Sequence, residues 1–256
     1  MRIGKILAIM YRDSICLRRI KFRLMDIIYF PLTTLIIWGL FAVYSRELAA
    51  EAGLIVLIIN IFWNFAHVSQ TTSNILMMED VWSGSFKQVL LCGVSEFEYM
   101  IARILSSTIA STFVIMMMTS LSLLFGINFF SVPTFLLILI TLIGSLALSV
   151  IIAAFVIFAG REYGFLVFSA SQLFIMLSAP FFPKEIFPKA ILYLSYVMPF
   201  TAVFEAARIF STTGIVHSNL IWWGAAVAIG YFIISWPLYY LSFRRARKTG
   251  MLARMH

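Results

Sequence analysis

Five polar side chains recur at helical spacing inside one long apolar stretch, and they are the first candidates for chemistry. They are Asn60, Asn64, His67, Thr71 and Asn74, which follow one another after four, three, four and three positions. This spacing predicts one polar stripe along a helix. Such side chains line a wet path for a polar solute, or they bond to neighbouring helices. Both interpretations stay open, and the first makes the five residues candidates for lining a translocation path.

Residue types that catalyse reactions or bind metals are sparse in the sequence. Its three histidines are His67, His217 and His256, and its cysteines are Cys16 and Cys92. The long apolar stretches contain no acid, so a paired-carboxylate or metal-ligand constellation is not predicted. A G-x-x-x-x-G-K-[ST] loop for ATP phosphates is also missing from the sequence. We therefore expect no enzyme activity, no metal site and no cofactor on this chain.

A second group of candidates lies in a short amphipathic segment that joins two apolar stretches. Trp82, Phe86, Val89 and Leu90 fall on one side at helical spacing, and Gly93 is expected to end the helix. A helix of this kind lies on lipid or docks into a groove of a soluble partner. The segment carries four acids, Glu79, Asp80, Glu96 and Glu98. Because these acids disfavour an anionic lipid surface, the sequence predicts a protein partner.

A proline-rich segment forms the third candidate site. It reads Pro180-Phe181-Phe182-Pro183-Lys184-Glu185-Ile186-Phe187-Pro188-Lys189. Pro188 suits the first turn of a helix, and Pro199 ends it. The apolar run between these prolines is too short to span a bilayer. We expect a helical hairpin that dips into the outer leaflet, with an ordinary surface loop as the alternative.

The elements that position these candidates are long apolar runs. The 256 residues are 62% hydrophobic and 12% charged, with mean hydropathy +0.99, whereas soluble domains are about 45–50% apolar and about 25% charged. A bilayer-spanning helix needs about 20 apolar residues. The longest uncharged stretch is expected to break at Gly126-Ile127-Asn128 and Pro133. The sequence thus predicts six spans, at 27–45, 54–76, 103–125, 134–159, 164–181 and 219–241.

Lysine and arginine are placed unevenly around these spans. With six spans, 15 of the 19 fall on the side of both termini, which predicts cytoplasmic termini by the positive-inside rule. We expect one transmembrane domain over 1–256. It comprises a basic amphipathic interfacial helix within 1–26, six spans over 27–241 and a basic cytoplasmic tail over 242–256. Because the basic residues flank the spans and form no single face, nucleic-acid binding is not expected. The expected location is the plasma or inner membrane.

Two sequence motifs, together with this topology, carry a resemblance to a known family. In the amphipathic loop, Glu79, Gly84-Ser85, Phe86, Leu90-Leu91 and Gly93-Val94-Ser95 stand in register with a family pattern. The proline-rich segment supplies Phe182-Pro183, Ile186-Phe187-Pro188, Leu194-Ser195, Met198-Pro199-Phe200-Thr201, Glu205 and Arg208. The chain resembles the ABC-2 type permeases, the membrane subunits of type II ABC exporters, over nearly its whole length. It departs from the family pattern at Ser85, Lys87 and Gly93, where the family has Thr, an acid and Pro.

The resemblance implies a partner and a mechanism. It implies an exporter for an amphipathic lipid, drug or glycan, built from two permeases, identical or sister copies, and separate ATPase subunits that hold ATP and Mg. The loop helix would be the coupling helix that docks the ATPase, through Glu79, Trp82, Ser85, Phe86, Val89 and Leu90. The outer hairpin would gate the exit through Phe181, Phe182, Phe187 and Pro188. The rival expectations are an ion-coupled secondary transporter and a membrane scaffold that docks a soluble protein.

Overall fold

The computed structural model describes residues 3–19, 25–125 and 131–250, and for residues 26, 46–51 and 161 it describes the backbone only. These ranges form α-helices and short 3-10 and π turns, without a strand, so the all-helical class is confirmed. The helices are α1 Ile3–Arg19, α2 Phe30–Tyr44, α3 Arg46–Trp82, α4 Ser85–Leu91, α5 Glu96–Ser122, α6 Val132–Ala159, α7 Leu166–Leu177, α8 Lys189–Val197, α9 Thr201–Thr213 and α10 Ser218–Lys248.

Several helices have the length and apolar composition of membrane spans. Five segments in the described ranges qualify, and they are Ile27–Tyr44, Ala52–Trp82, Glu96–Phe125, Val132–Ala159 and Ser218–Lys248. The pair α8 and α9, bent by 93°, qualifies as a sixth when the two helices are taken together. The structure therefore supports a membrane-spanning helical protein with five or six such segments.

The predicted fifth span at 164–181 is shorter than expected. Its regular part is α7, whose 12 residues extend about 18 Å, against roughly 30 Å of bilayer hydrocarbon. A 3-10 turn, Arg161–Phe165, precedes α7, and Ala179 with a positive φ of 50° follows it. Pro180 explains this end, because a proline disfavours helical geometry at the residue before it.

The amphipathic loop also differs from its predicted form. α3 continues to Trp82, so Glu79 and Asp80 belong to its last turns. Gly84, with φ 69°, then breaks the path before α4 begins at Ser85. A left-handed residue turns the chain, and glycine adopts it without a Cβ clash. Trp82 and Phe86 therefore lie on different helices and do not share one face.

Other predicted helix ends are confirmed. α4 stops at Leu91, and Gly93 adopts the left-handed φ of 79° that follows many helix ends. α8 lies between Pro188 and Pro199 as expected, and α9 continues the hairpin. The predicted break at 126–128 lies outside the described residues. After it, Ser131 caps α6, since its Oγ accepts the Thr134 N–H at 3.3 Å.

α3 is the central helix of the bundle and packs against α2, α5, α6, α7 and α9. Two apolar clusters fill the described interior. One surrounds the middle of α3, with Leu57, Phe62 and Phe65. The other surrounds its C-terminal end, where Met77 and Val81 meet α1 and α10. The amphipathic loop and α1 thus lie at the same end of the bundle, opposite the proline-rich hairpin.

Candidate docking site

A fully buried arginine organises the end of the bundle that carries the amphipathic loop. Arg103, near the start of α5, donates to Asp13 of α1 through Nη1 and to Asp80 of α3 through Nη2. Its guanidinium lies 4.6 Å from the ring centroid of Tyr99. Paired carboxylates compensate a charge that is costly to bury alone. This ion cluster, defined here as Arg12, Asp13, Asp80, Tyr99 and Arg103, joins three helices.

Further hydrogen bonds satisfy the two carboxylates of the ion cluster. Asp80 Oδ2 accepts from Tyr99 Oη and from Arg12 Nη2, both at 2.7 Å, and its Oδ1 accepts from Ser85 Oγ at 3.0 Å. Asp13 Oδ2 accepts from Ser106 Oγ at 3.1 Å. Ser85 begins α4, so these contacts bring the loop helix into the same network. α4 is therefore connected to α1, α3 and α5 through charge-assisted bonds to Asp80 and Arg103.

Local sequence explains how the cluster residues come together. Ser95 caps α5 by accepting the Glu98 N–H at 3.2 Å, while the Glu98 carboxylate accepts the Ser95 N–H at 3.0 Å. This capping box fixes where α5 begins. Tyr99 and Arg103, four residues apart, then share one face of α5. Asp13 lies on the buried face of α1.

The loop exposes large apolar side chains beside the polar Ser83 and Gln88. Trp82 is 53% exposed and Leu91 is 87% exposed, while Val89 and Leu90 are half-buried. Phe86 differs from its predicted role as an anchor: it is buried beneath this surface, with ring centroids 5.1 Å from Tyr99 and 6.1 Å from Phe243. We define the docking surface as Trp82, Val89, Leu90 and Leu91.

Hydrogen bonds from α1 and α10 hold the C-terminal side of the loop. Lys5 Nζ of α1 donates to the Gly93 carbonyl. Arg247 of α10 pairs with Glu96 at 2.8 Å, and Tyr239 Oη donates to the Glu96 carbonyl at 3.2 Å. The loop is thus held by the first and last described helices. Of the other predicted docking residues, Ser85 bonds within the chain and Glu79 is half-buried.

The predicted polar stripe is covered by this chain's own helices. Asn64 Nδ2 donates to Thr34 Oγ1 of α2 at 3.1 Å and to the carbonyl of Asn60 at 2.8 Å. His67 Nδ1 lies 3.0 Å from Ser171 Oγ of α7. Thr71 Oγ1 donates to the His67 carbonyl at 2.7 Å. The stripe therefore connects α3 to α2 and α7 in this conformation.

Part of the stripe keeps spare hydrogen-bonding capacity. Asn74 is fully buried, and neither its Nδ2 nor its Oδ1 has a partner among the described residues. The same holds for Asn60 Nδ2, Asn64 Oδ1 and Gln70 Oε1. Native proteins leave few buried polar atoms unsatisfied. Six of the eight such atoms in the described part of the chain lie on α3.

The proline-rich hairpin is held by charged residues on α9. Arg208 Nη2 donates to the carbonyls of Ala179, Pro180 and Phe182 at 2.9, 3.2 and 2.8 Å. The buried Lys184 ammonium pairs with Glu205 and lies 4.9 Å from the Tyr196 ring centroid. The Arg208 bonds satisfy irregular backbone carbonyls that a helix would have satisfied internally, and Glu205 compensates the buried Lys184 charge.

The predicted gate residues form an aromatic layer at this end. Phe181 stacks on Trp63 of α3 at 5.5 Å and is 40% exposed. Phe182 meets Phe187 edge to face at 5.2 Å, and Pro188 is exposed just before α8. Because Phe181 contacts α3 directly, movement of α3 would move the hairpin. The gate function itself remains a prediction.

Comparison of the chain with protein-family models and with curated proteins finds no match.

The sequence interpretation missed the ion cluster. Asp13 is the only acid among the first 25 residues, and it shares the buried face of α1 with Ile6 and Ile9. A single acid on the apolar face of a basic helix indicates a buried cationic partner. That partner, Arg103, is 90 positions away in the sequence, so local spacing did not identify it.

Proposed function

We propose that this chain is the membrane-spanning permease subunit of an ATP-driven exporter of the ABC-2 type. The observation that carries the proposal is the ion cluster, which connects the exposed docking surface to α3 and α5. A surface with Trp82 and Leu91 exposed suits an aromatic and aliphatic anchor for a soluble partner. The loop order and motifs resemble that family, whose ATPase is a separate chain.

In the proposed mechanism, the partner ATPase binds ATP and Mg and pushes on the docking surface. Buried charge-assisted bonds resist stretching, so α4 and the end of α3 move together with α1 and α5. Displacement of α3 would separate the polar stripe from α2 and α7 and shift Phe181 at the opposite end. A second permease, identical or sister, would complete the path for an amphipathic lipid, drug or glycan.

The proposed topology follows the charge distribution. With six spans, of which the short α7 is one, both termini and the docking surface are expected in the cytoplasm by the positive-inside rule. The proline-rich hairpin then faces outward as a re-entrant element in the plasma or inner membrane. A scaffold that docks a soluble protein, or an ion-coupled transporter, would share this topology, so the partner decides among the three.

The test is to tag the chain, purify it gently from its native membrane and identify the proteins that co-elute. We expect a near-stoichiometric ATPase with a phosphate-binding loop. Trp82→Ala should reduce its recovery at least tenfold, since loss of a central aromatic anchor costs about 2 kcal/mol or more. Trp222→Ala is the matched control, because Trp222 is 75% exposed at the opposite end.

Three outcomes would contradict the proposal. A chain that elutes stably without an ATPase favours the ion-coupled transporter. A partner without ATPase activity favours the scaffold. Equal loss of the ATPase on Trp82→Ala and on Trp222→Ala would place the docking surface elsewhere. Thermal unfolding of both variants in detergent is expected to match that of the unmodified chain, because both side chains are exposed.

A further inference from the structure

A groove between α6 and α10 lies outside the proposed docking and transport elements. It has a volume of about 380 Å³ and opens on the outside of the bundle. Its walls run from Ile151 to Phe158 on α6 and from Leu238 to Arg245 on α10. Both helices run in the same direction, and seven residues of helix rise about 10 Å. The groove therefore extends over roughly two thirds of one hydrocarbon leaflet.

The groove is apolar along its length and cationic at its mouth. Phe155, Leu238 and Leu241 are exposed on its walls. Arg245 lies at the end nearest the basic tail, with its guanidinium carbon 4.0 Å from the ring centroid of Phe158. This contact holds the guanidinium over the entrance, where its N–H groups can donate to a ligand.

Arg245 also lacks an acid to neutralise it in the described part of the chain, where no carboxylate lies within 4.0 Å of it. Arg247, two residues on, differs because it pairs with Glu96. An exposed guanidinium at the end of an apolar groove complements the two parts of an anionic phospholipid. The guanidinium matches the phosphate, and the groove matches an acyl chain. Basic pockets between membrane helices bind such headgroups.

We propose that the groove between α6 and α10 binds one anionic phospholipid of the adjacent leaflet. An acyl chain fills the groove beside Phe155 and Leu241, and the phosphate accepts hydrogen bonds from Arg245. Ser242 lines the groove one turn before Arg245 and lies within the polar end of the site. The site is expected to select anionic over zwitterionic lipid, because Arg245 repels the cation in the headgroup of a zwitterionic lipid, and an anionic headgroup has no such cation.

A second copy of the chain fits the groove less well than lipid does. A two-fold interface would place this face against itself, and the arginines at the two mouths would repel each other. A second groove, between α5 and α6, provides an internal comparison. It is larger, about 650 Å³, and none of its lining residues is charged. It is therefore expected to accept acyl chains without selecting the headgroup.

The lipid site requires α6 and α10 to lie in a bilayer, a premise that it shares with the proposed function. It does not require an ATPase partner. Loss of the ATPase in the Trp82 test would leave it intact. Loss of lipid selectivity would leave the docking proposal intact. The two proposals therefore fail in different measurements.

The experiment is native mass spectrometry of the full chain, released from bilayers of phosphatidylcholine mixed with phosphatidylglycerol. We expect the chain to retain phosphatidylglycerol in preference to phosphatidylcholine. Arg245→Gln should lower phosphatidylglycerol retention about fivefold, the effect expected for one arginine near an anionic lipid surface. Ser242→Phe, which narrows the groove, should lower retention without changing the charge.

Arg244→Gln is the matched control, since Arg244 is adjacent, exposed and outside the groove lining. It should leave retention unchanged. Equal losses from Arg244→Gln and Arg245→Gln would show a diffuse basic surface and overturn the site. Equal retention of the two lipids by the unmodified chain would also overturn it. The site would also be overturned if Leu241→Cys cross-linked two copies of the chain and no lipid was retained.

Discussion

Among the residues, Arg103 of α5 joins α1 and α3 through a single side chain. It is fully buried, and its two carboxylate partners come from helices far away in the sequence. Without Arg103, the buried carboxylates of Asp13 and Asp80 would share only the partly exposed Arg12, which is unfavourable. The position is therefore sensitive to any neutral substitution, even one that keeps the length of the side chain.

Arg103→Gln is expected to reduce the free energy of unfolding by about 3 kcal/mol, the lower end of the range for breaking a buried ion pair, because Asp13 and Asp80 lose their buried cation and keep only the partly exposed Arg12. Thermal or denaturant unfolding in detergent measures this loss. Asp13→Asn removes one of the stranded charges, so the double variant should lose less than the two single variants combined. Strict additivity would show that Asp13 and Arg103 do not interact energetically.

At the scale of elements, Gly84 decides which side of the loop faces outward. Helical periodicity through Trp82 and Phe86 predicted one continuous face. The left-handed turn at Gly84 instead reorients α4, so that Phe86 packs on Tyr99 while Trp82 stays exposed. A single glycine permits either a continuous helix or a turn. The turn is favoured here because it allows Phe86 to pack on Tyr99 and Phe243.

The polar stripe of α3 gives a prediction at the same scale. In a chain with Cys16→Ala and Cys92→Ala, the variants Asn64→Cys and Thr71→Cys should resist water-soluble maleimides. Both positions are buried, at 1% and 3% exposure. Leu91→Cys, on the exposed docking surface, should label fully under the same conditions and serves as the control.

Rapid labelling at Asn64 and Thr71 in the isolated chain would contradict the packed arrangement and favour a stripe already open to water. Labelling that begins only when ATP and the partner ATPase are added would fit the proposed separation of α3 from α2 and α7. Inertness under both conditions would support the interpretation that the stripe only bonds helices together.

At the scale of the whole molecule, the two ends of the bundle differ in charge and in packing. The end with the docking surface carries the ion cluster and the basic residues of α1 and α10. The other end carries the aromatic layer, with Lys184 and Arg208 engaged by α9 and the hairpin. In membrane proteins, the end that carries the excess of lysine and arginine usually lies in the cytoplasm.

Membrane-impermeant maleimide tests this orientation in a Cys16→Ala chain. The native Cys92 is exposed beside the docking surface. It should label in inverted vesicles and stay unlabelled in intact cells. Trp222→Cys, in a chain that also lacks Cys92, should show the reverse pattern. Labelling of both positions from the same side would contradict an odd number of membrane crossings between them.

The sequence by itself determined the helical class, the apolar runs and several helix ends, including those at Gly93, Pro188 and Pro199. These features follow from hydrophobicity and backbone geometry, which act between near neighbours. Only the packing of the helices shows that Phe86 faces inward and that Asp13 meets Arg103. Those outcomes depend on which surfaces meet when the helices pack. Asp13 and Arg103 are 90 positions apart, so the local spacing of residues does not predict their contact.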